Sequence, residues 1–172
     1  MGTALITIWL ALSMAAPAKR EVYRSIHVEN DRVIITTTSG RQITPRPEQD
    51  QVGIESPRLS PDGKTAGWLV LYEGHTTSYP IPLTLITYSA GVVRRYSADA
   101  VFWKWAFLEG GRRLAFADGP LHGSHHPYRY EMWDVVRARR VATYVPKPDP
   151  ADPEIDVGDP PDWVMALDAA RN

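Results

Sequence analysis

Four of the five histidines fall in two short stretches, and these are the residues whose placement invites chemistry. His75 lies within residues 73–80, and His122, His125 and His126 lie within residues 121–128. Imidazoles gathered from two neighbouring loops would suit a transition-metal ion or an anion. The bland alternative is a pair of polar surface loops in which a histidine or two caps strand ends. No HExxH pattern, no cysteine and no carboxylate at ligand spacing supports the metal. Tyr79 and Tyr128 stand beside prolines in the same two stretches and are the better surface aromatics. The binding candidates are therefore His75, Tyr79, His122, His125, His126 and Tyr128, with metal ligation undecided and no cofactor expected.

Other chemistries find less support. There is no GxSxG elbow, Walker loop or dinucleotide fingerprint, so no catalytic residue is assigned. Asp99 and Asp118 read as isolated, solvated loop acids, and Gly110-Gly111 as a hairpin turn. The many aromatics would suit carbohydrate stacking, but strand alternation explains Trp68, Trp105 and Trp133 more simply as core. Trp103, two residues before Trp105, is expected on the same inward face.

Loops need a scaffold, and residues 59–72, LSPDGKTAGWLVLY, show how it is built. Ser60-Pro61-Asp62-Gly63 has the chemistry of a tight turn: Pro61 presets φ, Asp62 bonds its own backbone, and Gly63 takes φ > 0. Ala66, Trp68 and Val70 then share one face of a strand. Shifting the chain by 48 residues lays 57–96 on 105–144 without a gap. Gly63 meets Gly111, Lys64 meets Arg112, Ala90 meets Ala138 and Tyr96 meets Tyr144. Each unit parses into four short strands, near 55–59, 65–72, 83–89 and 92–96, then near 103–108, 113–117, 129–135 and 140–144. Before them, 21–45 reads as an N-terminal hairpin turning at Asn30-Asp31. The expected fold class is all-β, with antiparallel sheets and one short C-terminal helix.

Two hairpins per unit and a period of about 45 to 50 match one propeller blade. Ser60-Pro61-Asp62-Gly63-Lys64 with Trp68 resembles the SPDGK signature of TolB-type and WD40-like β-propeller blades. Residues 130–135, YEMWDV, resemble the third blade strand ending in the Trp-Asp dipeptide. The resemblance implies blade-like sheets and an interaction role. It implies no buried His–Asp–Trp network, because Gly74-His75 follows the second strand of its unit. Two blades and a hairpin do not close a propeller. The chain is either a small β domain or a piece that completes its sheet against another copy through open sheet edges.

The ends read differently. Residues 4–16 are apolar apart from Thr7 and Ser13, and Ala16-Pro17-Ala18 supplies small residues, as in a signal peptide cleaved after Ala18. The segment is too short for a spanning anchor, so none is expected in the mature chain. Residues 146–161 hold six prolines and five acids and read as an extended acidic segment. Asp159-Pro160-Pro161-Asp162 then resembles an N-cap, with Trp163, Leu167 and Ala170 on one face of the helix. The expected parts are a signal peptide (1–18), the β domain (19–145) and a Pro/Asp-rich segment with its helix (146–172).

At 172 residues with 44% hydrophobic content, the chain suits one buried core. A formal net charge of -1 argues against a nucleic-acid partner. The expected function is an exported, non-enzymatic interaction module, periplasmic or secreted, with a protein or peptide partner. The alternative is a metal-binding protein or metal-dependent hydrolase working through the histidine loops.

Overall fold

The computed structural model describes residues 21–75, 77–122, 127–148, 150–152 and 156–170. The expected signal segment lies outside them. Strands take up 52% of the structure against one short helix, so the fold is all-β. The first sheet holds β1 (Tyr23–Glu29), β2 (Arg32–Thr37) and β3 (Gln42–Ile43) in that order. The second holds β4 (Gly53–Leu59), β5 (Ala66–Tyr72), β6 (Ile81–Ser89) and β7 (Val92–Ser97). The third holds β8 (Val101–Leu108), β9 (Arg113–Gly119), β10 (Arg129–Asp134) and β11 (Arg139–Tyr144). Each is an antiparallel meander of consecutive strands, which makes the sheets blade-like.

Turn chemistry places the strands. Asn30 and Asp31 both take left-handed φ, 49° and 55°, the conformation of a two-residue hairpin turn. In the Ser60–Gly63 turn, the Gly63 N–H donates to the Ser60 carbonyl at 2.8 Å, and Gly63 takes φ 66°. The Ser60 hydroxyl donates to Asp62 at 2.7 Å and accepts the Thr65 N–H at 2.9 Å, which closes the turn onto β5. The 48-residue offset also has backbone content. Gly111, the mate of Gly63, takes φ 97°, and the alanine pair Ala90 and Ala138 takes φ 50° and 51°. Left-handed alanine is uncommon, so the two hairpin turns share a specific shape.

The sheets stack face to face. Tyr23, Val33 and Ile35 of the first sheet pack on Ala66, Trp68, Val70 and Ile86 of the second. The other face of the second sheet, through Leu69, Leu85 and Tyr96, packs on Phe102, Trp105, Leu114 and Phe116 of the third. The second sheet is thus covered on both sides, which is why β5 is buried from Ala66 to Val70 without alternation. Helix α1 (Asp162–Ala169) covers the far face of the third sheet, with Val164 and Leu167 on Ala106, Ala115, Ala117 and Tyr130.

Four expectations need correction. Trp103 is not core. It is the extra residue of a β-bulge between Phe102 and Lys104, so Phe102 and Trp105 face the second sheet together. Trp103 instead lies half-buried against Gly119, with its indole N–H donating to the Pro120 carbonyl at 3.1 Å. The helix starts later than expected: Pro161 is its N-cap, with φ -66° and ψ 157°. The acidic segment folds back where it was read as extended. Asp156 accepts the Tyr144 hydroxyl at 2.7 Å and the Lys147 and Gly158 N–H groups at 2.8 Å, and Pro148 bridges to Asp156. The fourth correction, Asp118, belongs to the candidate site.

Candidate functional site

Antiparallel order sends the β5–β6 loop and the β9–β10 loop out of the same end of their sheets. In the first loop, a Cβ at Gly74 would stand 2.2 Å from Thr77 Oγ1 and 3.3 Å from the Tyr79 carbonyl, so the Thr77 side chain in this position packs directly over Gly74. The Thr77 hydroxyl donates to the Tyr79 carbonyl at 2.7 Å and sets the exit toward β6. The second loop is tied at its base by the Tyr128 N–H on the Asp118 carbonyl at 2.7 Å and by the Trp103 indole on Pro120.

The two loops meet. The Tyr79 and His122 rings stand edge to face, 6.5 Å between centroids and 89° between planes. Tyr79 and Tyr128 are 47% and 56% exposed, and His75 and His122 are exposed as well, so four of the six candidates present side chains to solvent at this end. His125 and His126 lie outside the described residues. Among the described residues, no group of three or more histidine, cysteine, aspartate or glutamate side chains is placed to hold a metal ion.

A hollow of about 630 Å³ opens beside the first loop, lined by Asp50, Val52, Tyr72, Glu73, His75 and Leu83. A smaller one of about 280 Å³ adjoins it at Val52 and Glu73 and runs to Tyr79 and Pro80. The larger hollow is mainly apolar, with Asp50, Glu73 and His75 as its charged and polar groups, whereas Glu73, Thr77 and Ser78 make the smaller one as polar as it is apolar.

A polar cluster at the same end of the third sheet was not expected from the sequence. Asp118 is fully buried, in contrast to the solvated loop acid expected at that position. Its Oδ2 accepts the Asp99 N–H at 2.9 Å and lies 3.3 Å from Arg129, while its Oδ1 is buried without a hydrogen-bond partner. Burial pushes the Asp118 carboxyl above the ordinary carboxylate range, against the Asp99 N–H and the Arg129 charge that hold it down. Arg129 also reaches Asp99 and approaches Glu131 at 3.3 Å. Buried Glu131 in turn accepts Arg140 and the Trp133 indole, each at 2.8 Å. This network ties the β7–β8 connection, the end of β9 and the start of β10 into one rigid base beneath the second loop. The sequence signal for it is Arg129-x-Glu131, since residues two apart share a strand face. Asp134, in the Trp-Asp dipeptide, accepts the Arg137 N–H at 2.8 Å and Arg113 at 2.6 Å and so closes the β10–β11 turn.

No protein-family model matches this chain, and no curated protein matches it either.

Proposed function

We propose that the chain is an exported, non-enzymatic interaction module of WD40-like β-propeller type. Its recognition face for a protein or peptide is the loop end that carries His75, Tyr79, His122, His125, His126 and Tyr128. The observation that supports this reading is the edge-to-face contact of Tyr79 with His122, which sets loops from two successive sheets side by side. Loops held on a rigid scaffold are where binding residues concentrate, and exposed tyrosine supplies contact area at low entropic cost. The hollow beside His75 adds concave, mainly apolar surface for a partner's side chain, and the one beside Tyr79 adds a more polar recess.

The test is to select peptides on the purified chain from a display library and then measure them against the Tyr79→Ala/His122→Ala variant. The expected result is an affinity loss of at least about tenfold, or 1.4 kcal/mol, with the thermal midpoint unchanged. Selected peptides that bind the variant as well as the parent would place recognition elsewhere and end this reading. Export is tested separately, by fusing residues 1–20 to a reporter enzyme that is active only outside the cytoplasm. A silent fusion removes that part.

A further inference from the structure

We propose that the opposite end of the second and third sheets is a docking surface for a membrane rich in anionic phospholipid. That end is a strand length, roughly 20 Å, from the histidine loops, so this inference stands or falls separately from the recognition face. It rests first on a groove of about 340 Å³ between the two sheets, walled by Val92, Val135 and Val136 and rimmed by Lys64, Arg94 and Arg112. Lys64 and Arg112 each follow the turn glycine of their unit. The repeat therefore sets equivalent cations on neighbouring sheets at one groove. Their nearest acids hold them loosely, Asp62 at 3.3 Å from Lys64 and Glu109 at 3.7 Å from Arg112.

Charge is the second observation. The β10–β11 turn adds Arg137 and Arg139, both exposed. Asp134 lies 2.6 Å from Arg113 and 3.9 Å from Arg137, and Glu109 is shared between Arg112 and Arg113. Among the described residues at this end, the six cations Lys64, Arg94, Arg112, Arg113, Arg137 and Arg139 thus face the three acids Asp62, Glu109 and Asp134, a local excess of three positive charges in a chain whose formal net charge is -1. Third, the flanking turns expose apolar side chains: Val92 is 53% and Val136 61% exposed. A soluble anion would use the cations alone. A bilayer surface takes cations at its headgroups and small apolar side chains at its interface, and both stand together here. Among the described residues, the groove has no aromatic lining on which nucleic-acid bases would stack.

Each cation near an anionic leaflet changes partitioning about fivefold, so a net excess of three corresponds to on the order of a hundredfold preference over a zwitterionic surface. The experiment is cosedimentation of the full chain with phosphatidylcholine vesicles and with vesicles that also contain phosphatidylglycerol. The expected result is that preference at low salt and its loss at high salt. The exposed-site changes Arg112→Ala, Arg137→Ala and Arg139→Ala should each lower it roughly fivefold and together abolish it. Val92→Ser with Val136→Ser should weaken binding to the anionic vesicles several-fold. Arg94 is left intact because its guanidinium bonds the Val135 and Val136 carbonyls. Equal partitioning into both vesicle types, as insertion of the apolar residues 4–16 would give, overturns the proposal. So does a preference that survives the arginine changes, or binding that ignores the valines and is competed away by inorganic phosphate.

Discussion

Gly67 of β5 lies under the indole of Trp105 of β8. A Cβ at Gly67 would stand 2.7 Å from the Trp105 ring and 3.3 Å from the Ile86 carbonyl. The Arg58 guanidinium stacks on the same indole, 5.1 Å from its centroid. The contact therefore sets how closely the second and third sheets approach. Gly67→Ala should cost roughly 1–3 kcal/mol by overpacking, and Trp105→Ala roughly 3–5 kcal/mol by leaving a cavity. Urea unfolding of the two single variants and the double variant checks this, and the double should cost much less than the sum.

Tryptophans on the two units should differ in weight. Trp68→Ala should destabilise by roughly 3–5 kcal/mol, since Trp68 is buried between the first and second sheets. Trp133→Ala should cost less, because Trp133 is half-buried at the margin of its cluster, edge-on to Tyr96 at 5.3 Å. Equal losses in thermal or urea unfolding would contradict this assignment.

Asp118 gives a pH signature with a definite sign. Its folded-state pKa is raised, so between the unfolded value near 3.9 and the folded value the native state binds more protons than the unfolded chain. Stability contributed by Asp118 is full below that window and declines as pH rises through it. Asp62 behaves oppositely: although burial pushes its carboxyl up, hydrogen bonds from Ser60 and Lys64 hold it below the ordinary range. Its contribution is lost as pH falls. Unfolding of the parent and Asp118→Asn across a pH series should show the parent losing ground to the variant from about pH 4 upward. A constant difference would dismiss the buried carboxylate as the source.

The fold-back of the acidic segment hangs on Asp156. Burial and the hydrogen bond to Asp156 raise the Tyr144 hydroxyl to about 12. Asp156→Ala should lower the Tyr144 titration toward the ordinary value near 10, cost roughly 1–2 kcal/mol, and open the segment to proteinase K. Ultraviolet titration and a proteolysis time course are the measurements.

The contact between Tyr79 and His122 is open to proton NMR. The His122 ring protons should move in Tyr79→Leu, while the His27 resonances on β1 stay in place. Unmoved His122 signals would separate the two loops.

Strand positions were legible in the sequence because turn residues announce themselves. Asn30-Asp31 and Gly63 take left-handed backbone at turns the sequence marks, whereas the left-handed Ala90 and Ala138 carry no such mark and share only their place in the repeat. The bulge at Trp103 was not legible, since one extra residue without a glycine reverses the alternation and leaves no mark in composition. Plain alternation puts Trp103 rather than Phe102 on the face of Trp105, and the bulge exchanges the two. Within the Asp118–Arg129–Glu131 base, Arg129-x-Glu131 on β10 left a trace in the spacing, but Asp118 comes from β9, and pairing across a sheet is invisible to spacing along the chain. At α1 the face expected from Trp163, Leu167 and Ala170 is turned by one residue, because the helix starts at Asp162 and buries Val164 with Leu167 while Trp163 is only partly buried.

The layered stack has a consequence for motion. Among the described residues, the outer two sheets share no hydrophobic cluster; the first packs on the middle one, and the third packs on the middle one and on α1. Neither can open without uncovering one face of the second sheet, while the second sheet cannot open until a neighbour has left it. Amide hydrogens of β5 and β6 should therefore exchange with solvent only through global unfolding. Those of β1, β2 and β11 should escape by cheaper openings confined to their own sheets. The edges that carry the loops and the arginines would then fluctuate over a centre that stays closed.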